Sequence, residues 1–143
     1  MVEQGRDVAG HPVLTSLGCA FRKVGAVYEK ETGFGVGQWF ALVTLERSDG
    51  MSQGEMSRFF GVDPARVSRM VRGLEKDGLV RRERDPGDGR VVRLYLTDAG
   101  RVALEKRPAV EEAVEGRIRR VMSDDEVEEL RRLLGLLAKA MEE

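Results

Sequence analysis

Residues 53–72 read Gln53-Gly54-Glu55-Met56-Ser57-Arg58-Phe59-Phe60-Gly61-Val62-Asp63-Pro64-Ala65-Arg66-Val67-Ser68-Arg69-Met70-Val71-Arg72. Ser52 stands just before this stretch and Glu55 lies three residues on, the pattern of a helix N-cap closed by a capping box. Gly61 supplies the residue that ends a short helix in a left-handed turn. Asp63-Pro64 then restarts a helix, with an acceptor at the cap and proline at the first helical position, where its missing N–H is not needed. Ser57 is small where the second helix must cross the first. Met56, Phe60, Val62, Val67 and Met70 are apolar at the positions that face a shared core. The stretch reads as a helix-turn-helix.

The second of these helices is predicted to run to about Asp77, with Gly78 ending it. Phased at about 100° per residue, Val67, Met70, Val71 and Leu74 share one arc. Ala65, Arg69, Arg72 and Lys76 lie opposite, with Arg66 and Ser68 on the flanks. Such a face suits the major groove of duplex DNA; an amphipathic surface helix with a solvated basic side is the other reading. The neighbouring residues favour the first. Leu79–Arg84 and Arg90–Leu96 are predicted strands around Asp85-Pro86-Gly87-Asp88-Gly89, a turn that makes them a β-hairpin. Val92, Leu94 and Leu96 are expected on one face, and Val91, Arg93 and Tyr95 on the other. The hairpin carries Arg82, Arg84 and Arg90. A cationic ribbon beside a helix-turn-helix is a wing, and arginine, planar and less strongly hydrated than lysine, favours a narrow minor groove. Asp88, two residues before Arg90, is close enough in sequence to restrain its guanidinium.

Working outward, Pro12 opens a helix to about Glu31, with Leu14, Leu17, Phe21, Val24 and Tyr28 at helical spacing. Gly33-Phe34-Gly35-Val36-Gly37 breaks it, and a second helix covers about Gln38 to Arg47. Beyond the hairpin, Thr97 caps a long helix to about Met122, which Pro108 must kink or interrupt. Ser123 with Glu126 caps a last helix to about Glu142. Its Val127, Leu130, Leu133, Leu134, Leu137 and Met141 form a stripe too broad to leave in water. A two-fold dimer would cover it, with part of the stripe in the chain's own core, and would set two recognition helices about 34 Å apart, one duplex turn.

The 143 residues include 24 Lys plus Arg against 25 Asp plus Glu, a net charge of −1. That near-neutral total argues against a nucleic-acid partner until it is divided. Residues 1–51 carry −1, residues 52–101 carry +3 and residues 102–143 carry −3, so the helix-turn-helix and wing are the basic part. Apolar content of 41% makes intrinsic disorder unexpected. A single cysteine allows no internal disulfide and no Cys-based zinc site, which suits a reducing compartment. No apolar run approaches the roughly 18 residues of a membrane span, and Met1–Gly10 carries no signal-peptide pattern. Phosphate loops and nucleophile signatures are missing, so no catalytic residue, metal or cofactor is expected. His11 beside Pro12 reads as a cap or a solvent-facing residue, and Asp124-Asp125-Glu126 as complements of a helix dipole.

The order of elements, over about Val13 to Met141, resembles the MarR family of bacterial transcriptional regulators. The likeness is sharpest from Val67-Ser68-Arg69-Met70-Val71 through Leu74-Glu75-Lys76-Asp77-Gly78-Leu79-Val80. It continues through Asp85-Pro86-Gly87-Asp88-Gly89-Arg90 to Leu96-Thr97-Asp98-Ala99-Gly100, and Gln38-Trp39 also fits. The resemblance implies a mainly α fold with a small β-hairpin wing, in a single MarR-like domain over 1–143. A winged helix-turn-helix lobe would cover about 38–97, and dimerisation helices about 12–32 and 98–142. It implies a cytoplasmic homodimer that binds double-stranded DNA at a palindromic promoter site, as a repressor, and releases it on binding a small aromatic effector. Arg66, Ser68, Arg69 and Arg72 would contact bases or phosphates, Arg90 would enter a minor groove, and Asp88 would orient Arg90. An effector pocket would lie where the dimerisation helices meet the winged lobe, with Tyr28 and Trp39 as candidate lining residues; core packing is the plainer reading of both. Some relatives sense peroxides through a cysteine of the first helix, which makes Cys19 a candidate redox sensor with Lys23 a turn further on. A small buried helix residue is the plainer reading of Cys19. Three departures stand out: Gly37 replaces the Thr or Ser that often caps the second helix, Gly89 replaces a common basic residue, and Gly33, Gly35 and Gly37 make the first inter-helix loop unusually rich in glycine. The alternative function is a winged-helix module that docks an acidic protein and does not bind DNA.

Overall fold

Helix ends in this chain are set by side chains that satisfy orphan backbone groups. In the computed structural model, which describes residues 10–142, α1 spans Pro12–Thr32, α2 Val36–Arg47, α3 Gln53–Phe60 and α4 Pro64–Lys76. An antiparallel hairpin of β1 (Val80–Arg84) and β2 (Val92–Leu96) follows. After it come α5 (Asp98–Ala103), a 3-10 turn over Leu104–Lys106, α6 (Arg107–Arg119) and α7 (Asp124–Ala140). Gly10 apart, the N-terminal segment inspected for a signal sequence lies outside the described residues.

Ser52 Oγ accepts the Glu55 N–H at 3.0 Å and Glu55 Oε2 accepts the Ser52 N–H at 3.4 Å, the reciprocal box expected at α3. Asp63 Oδ1 accepts the Ala65 N–H at 2.9 Å at the start of α4, and Ser123 and Glu126 close the same box on α7. His11 Nδ1 accepts the Val13 N–H at 3.2 Å, so the histidine is the cap of α1. The start of α2 differs from expectation. It begins at Val36, with Gly35 as cap, because Gln38 Oε1 reaches back to the Gly35 N–H at 3.1 Å. Gly37 therefore lies inside the first turn and is not the capping position.

Pro108 interrupts its helix as expected, and the break falls upstream of it. A continuous α-helix would pair the Leu104 carbonyl with the N–H of residue 108, which proline lacks. The Arg107 N–H takes that carbonyl instead, tightening the chain to a 3-10 turn.

The core gathers Trp39, Ala41, Leu42 and Leu45 from α2, Met56 from α3, Val67, Val71 and Leu74 from α4, and Leu79, Val80, Leu94 and Leu96 from the hairpin region. Val80 pairs with Leu96, Arg82 with Leu94 and Arg84 with Val92. Of the predicted inner face, Leu94 and Leu96 are buried and Val92 is half-buried. The Leu-Thr-x-x-Gly closing the wing has a packing cause. The Thr97 N–H bonds the Leu79 carbonyl at 3.1 Å, and Thr97 Oγ1 donates to the Gly78 carbonyl at 2.6 Å and accepts the Gly100 N–H at 3.1 Å. A Cβ on Gly100 would stand 2.3 Å from the Leu79 oxygen, so the start of α5 can lie against the hairpin only with glycine there.

The chain divides into two compact units, one ending at Arg107 and the other starting at Pro108. In the first, α1 leaves Val13, Leu14, Leu17, Phe21 and Val24 exposed. In the second, α7 buries no residue completely, and Leu130, Leu133, Leu134, Leu136 and Met141 are exposed.

Candidate nucleic-acid interface

The turn between α3 and α4 fixes how α4 is presented. Gly61 adopts a left-handed conformation with φ of 63°. The Val62 N–H bonds the Ser57 carbonyl at 3.0 Å, and Ser57 Oγ donates to the Val62 carbonyl. Ser57 is thus more than a small residue at a crossing: it clasps the turn. Met56 and Val67 are buried, whereas Phe60, Val62 and Met70 are only half-buried, for a reason given below.

With Val67, Val71 and Leu74 inward, α4 turns Arg66, Arg69, Arg72 and Lys76 to solvent, and Ser68 is half-buried. Among the described residues, Arg66, Arg69 and Arg72 have no carboxylate partner. The wing arginines behave otherwise. Arg81 pairs with Glu83 at 2.8 Å and stacks over Tyr95, its guanidinium carbon 4.9 Å from the ring centre. Arg82 bonds Glu75 of α4 at 3.0 Å, and Arg84 Nη1 donates to the Gly89 carbonyl at 2.7 Å.

Arg93 is tied most firmly. Its Nε donates to Asp85 Oδ2 at 2.6 Å and its Nη1 to the Gly50 carbonyl at 3.0 Å. Asp85 Oδ1 accepts the N–H groups of Gly87 at 2.7 Å and Asp88 at 3.1 Å, which shapes the turn. Arg93, and then the Gly87 N–H, hold the Asp85 carboxyl below the usual carboxylate range; Asp85 in turn raises Arg93. Arg90 remains as the outward cation of the wing, its side chain 93% exposed. Asp88 Oδ1 accepts the Arg90 N–H at 3.1 Å and Arg90 Nε at 3.3 Å, the contact anticipated from their spacing. An exposed pair of that length is weak, so it aims the guanidinium and leaves both Nη groups free. Of the three arginines assigned to a cationic tip, Arg82 is engaged by Glu75, so the sequence count overstates the free charge there.

A cleft of about 480 Å³ opens among α1, α2 and the α3–α4 turn. Phe21, Phe40, Phe60, Val62 and Met70 line it, and Arg66 is its charged member, which explains why three of the expected core residues are half open. Tyr28 and Trp39, candidates for such a pocket, do not line this cleft, and for Trp39 the core reading holds. Trp39 is 2% exposed and stacks on Phe34, because the inward face of α2 also carries Leu42. The next residue, Phe40, is turned about 100° around the helix and faces the cleft. Tyr28 is half-buried and meets Phe40 edge-on at 5.3 Å, a support behind the wall. Cys19 is exposed, not buried, and the cation at its sulfur is Arg22, with Nη2 at 3.3 Å, where the sequence pointed to Lys23. Among the described residues no cluster of His, Cys, Asp and Glu is placed to hold a metal ion, and no helix is long and apolar enough to cross a membrane.

Residues 36–92, from the start of α2 through the wing, match the model of the MarR family. The uncharacterized HTH-type transcriptional regulator YdgJ of Bacillus subtilis (strain 168) is 29% identical over 127 residues, covering 89% of this chain and 76% of that protein. The HTH-type transcriptional repressor Mb2911 of Mycobacterium bovis (strain ATCC BAA-935 / AF2122/97) is 29% identical over 125 residues, covering 82% and 90%. The crystal structure of a probable transcriptional regulator from Pseudomonas aeruginosa superposes with a TM-score of 0.79 at 31% identity, over 87% of this chain and 96% of that one. Family model, relatives and fold coincide on the helix-turn-helix and wing derived above: residues 36–92 are those of the MarR family of transcriptional regulators.

Proposed function

We propose that this protein is a homodimeric repressor that binds double-stranded DNA at a palindromic promoter site and releases it when a small aromatic molecule binds. One observation carries the reading. Arg66, Arg69 and Arg72 stand unpartnered on the solvent face of α4, and Arg90 extends from the wing, while Arg81, Arg82, Arg84 and Arg93 are held by the protein itself. Arg66, Arg69, Arg72 and the Nη groups of Arg90 are thus open to a polyanion, on the two elements placed to enter grooves. Arg66, Ser68, Arg69 and Arg72 serve the major groove and its phosphates, and Arg90, aimed by Asp88, serves the minor groove. A relative named as a repressor supports the sign of regulation.

Exposed leucines on α1 and α7 supply the dimer surface, and a two-fold axis gives the target its palindrome. The cleft beneath Phe40 suits an aromatic ring, and Arg66 at its edge suits an anionic substituent. The function is binding without catalysis, carried out in the cytoplasm. A salt titration on a duplex selected by the protein from a random pool tests it. Counterion release predicts a steep linear fall of log K with log salt. A module that docks only proteins has negligible duplex affinity at every salt concentration.

A further inference from the structure

A second cleft, of about 340 Å³, lies where the start of α3, the start of α4 and the wing converge. Ser52, Gln53 and Gly54 form one wall, Pro64 another, and Arg90 and Val92 a third, with Arg58 reaching in. Its lining holds two arginines and no carboxylate. Arg58 comes from the last turn of α3, yet its side chain runs back toward the first turn, as long helical side chains do. Its Nη1 sits 3.5 Å from the position a Cβ on Gly54 would take. The guanidinium is therefore placed beside the first turn of its own helix, near the two N–H groups that precede the capped Glu55 N–H. Among the described residues Arg58 has no carboxylate partner; Glu55, nearest in sequence, is occupied by the Ser52 N–H. Gln53 adds a polar group with incomplete bonding, since its buried Oε1 has no hydrogen-bond partner.

The position of the cleft identifies the anion. It is bounded on one side by the residue that opens the major-groove helix and on the other by the minor-groove arginine. Between a major and a minor groove of a duplex runs one sugar–phosphate strand. We propose that Arg58, with the Gln53 and Gly54 N–H groups that the cap of α3 leaves open, grips a single phosphodiester of that strand, so that the cleft sets the register of helix and wing on the duplex. This rests on the DNA-binding function proposed above. The contact positions the protein and reads no base.

The test uses the full-length protein and a duplex it selects from a random pool, with unrelated duplex alongside. Arg58→Ala is expected to flatten the slope of log K against log salt by about 0.9 and to lower affinity about eightfold at 0.1 M salt, on both duplexes alike. A series of duplexes with one neutral methylphosphonate linkage each adds a local readout. Wild type loses affinity at one linkage per half-site, between the grooves, and Arg58→Ala is indifferent to that linkage. Arg58→Gln, which keeps the stem, serves if the alanine variant fails to fold. Equal slopes for wild type and variants, or an unchanged response to every neutral linkage, would overturn the phosphate grip while leaving DNA binding intact. Absence of salt-dependent duplex affinity in the wild type would overturn both.

Discussion

Arg93 Nε lies 2.6 Å from Asp85 Oδ2, and through this contact the turn of the wing is fastened to the Gly50 carbonyl ahead of α3. The same carboxylate holds the Gly87 and Asp88 N–H groups, so one side chain shapes the turn and anchors it. Asp85→Ala is expected to loosen the hairpin tip while sparing the helices. Wing amides should exchange faster, far-UV circular dichroism should hold, and duplex affinity should fall. The effect has a pH signature. The Asp85 carboxyl is held below its usual range by Arg93 first. Its stabilisation is then complete above its unfolded value, near pH 4, and disappears as pH falls through the lower folded value. The gap in urea midpoint between wild type and variant should therefore be constant at neutral pH and shrink below about pH 4.

The free cations separate into two kinds of loss. Arg90→Ala should lower operator affinity markedly with the dimer intact, and an unchanged gel-shift titration would count against the wing assignment. On α4, alanine at Arg69 or Arg72 should cost about 1–3 kcal/mol of sequence discrimination where the arginine reads a base. Where it meets a phosphate, all sequences should weaken alike. Competition with mismatched duplexes distinguishes the outcomes.

Gly100→Ala places a methyl group 2.3 Å from the Leu79 oxygen. Relief requires α5 to back away from the hairpin, and overpacking of this kind costs about 1–3 kcal/mol. Urea denaturation should report a lower midpoint with an unchanged slope. A variant as stable as wild type would show that the junction yields more easily than its geometry implies.

Leu17 on α1 and Leu133 on α7 are both exposed, 38% and 48%. Carboxylates there would be harmless on a free surface and costly in an apolar interface. Leu17→Asp and Leu133→Asp should each shift sedimentation toward a monomer and weaken DNA binding. A dimer retained in both would remove these faces from the interface.

The parts of this fold legible in the sequence are those with local causes. Ser52 with Glu55, Asp63 with Ala65, and Ser123 with Glu126 bond within three residues, so reading the letters amounts to reading the contact. The α4 phase was equally plain, because Val67, Val71 and Leu74 repeat with the helix. What escaped depends on distance or on small angular differences. Arg93, placed by the strand pattern on the outer face of the hairpin, also reaches the Gly50 carbonyl, 43 residues away. Glu75 and Arg82, seven residues apart, bond only because the chain reverses between α4 and β1. Trp39 and Phe40 are equally apolar neighbours, and one helical step decides which is core and which faces the cleft. The early start of α2 came from Gln38 choosing Gly35 in a loop where several glycines would serve.

The Glu75–Arg82 bond carries a consequence for the partner rather than for the protein. It links α4 to β1 at 3.0 Å, so the two groove-entering elements keep a set spacing. A duplex docking on them must supply that spacing itself, by narrowing, widening or bending. The energy of doing so differs between stiff A-tracts and pliant pyrimidine–purine steps. On the proposed DNA-binding function, base pairs that no side chain touches would thereby enter the choice of target, through the mechanical compliance of the helix as well as its letters.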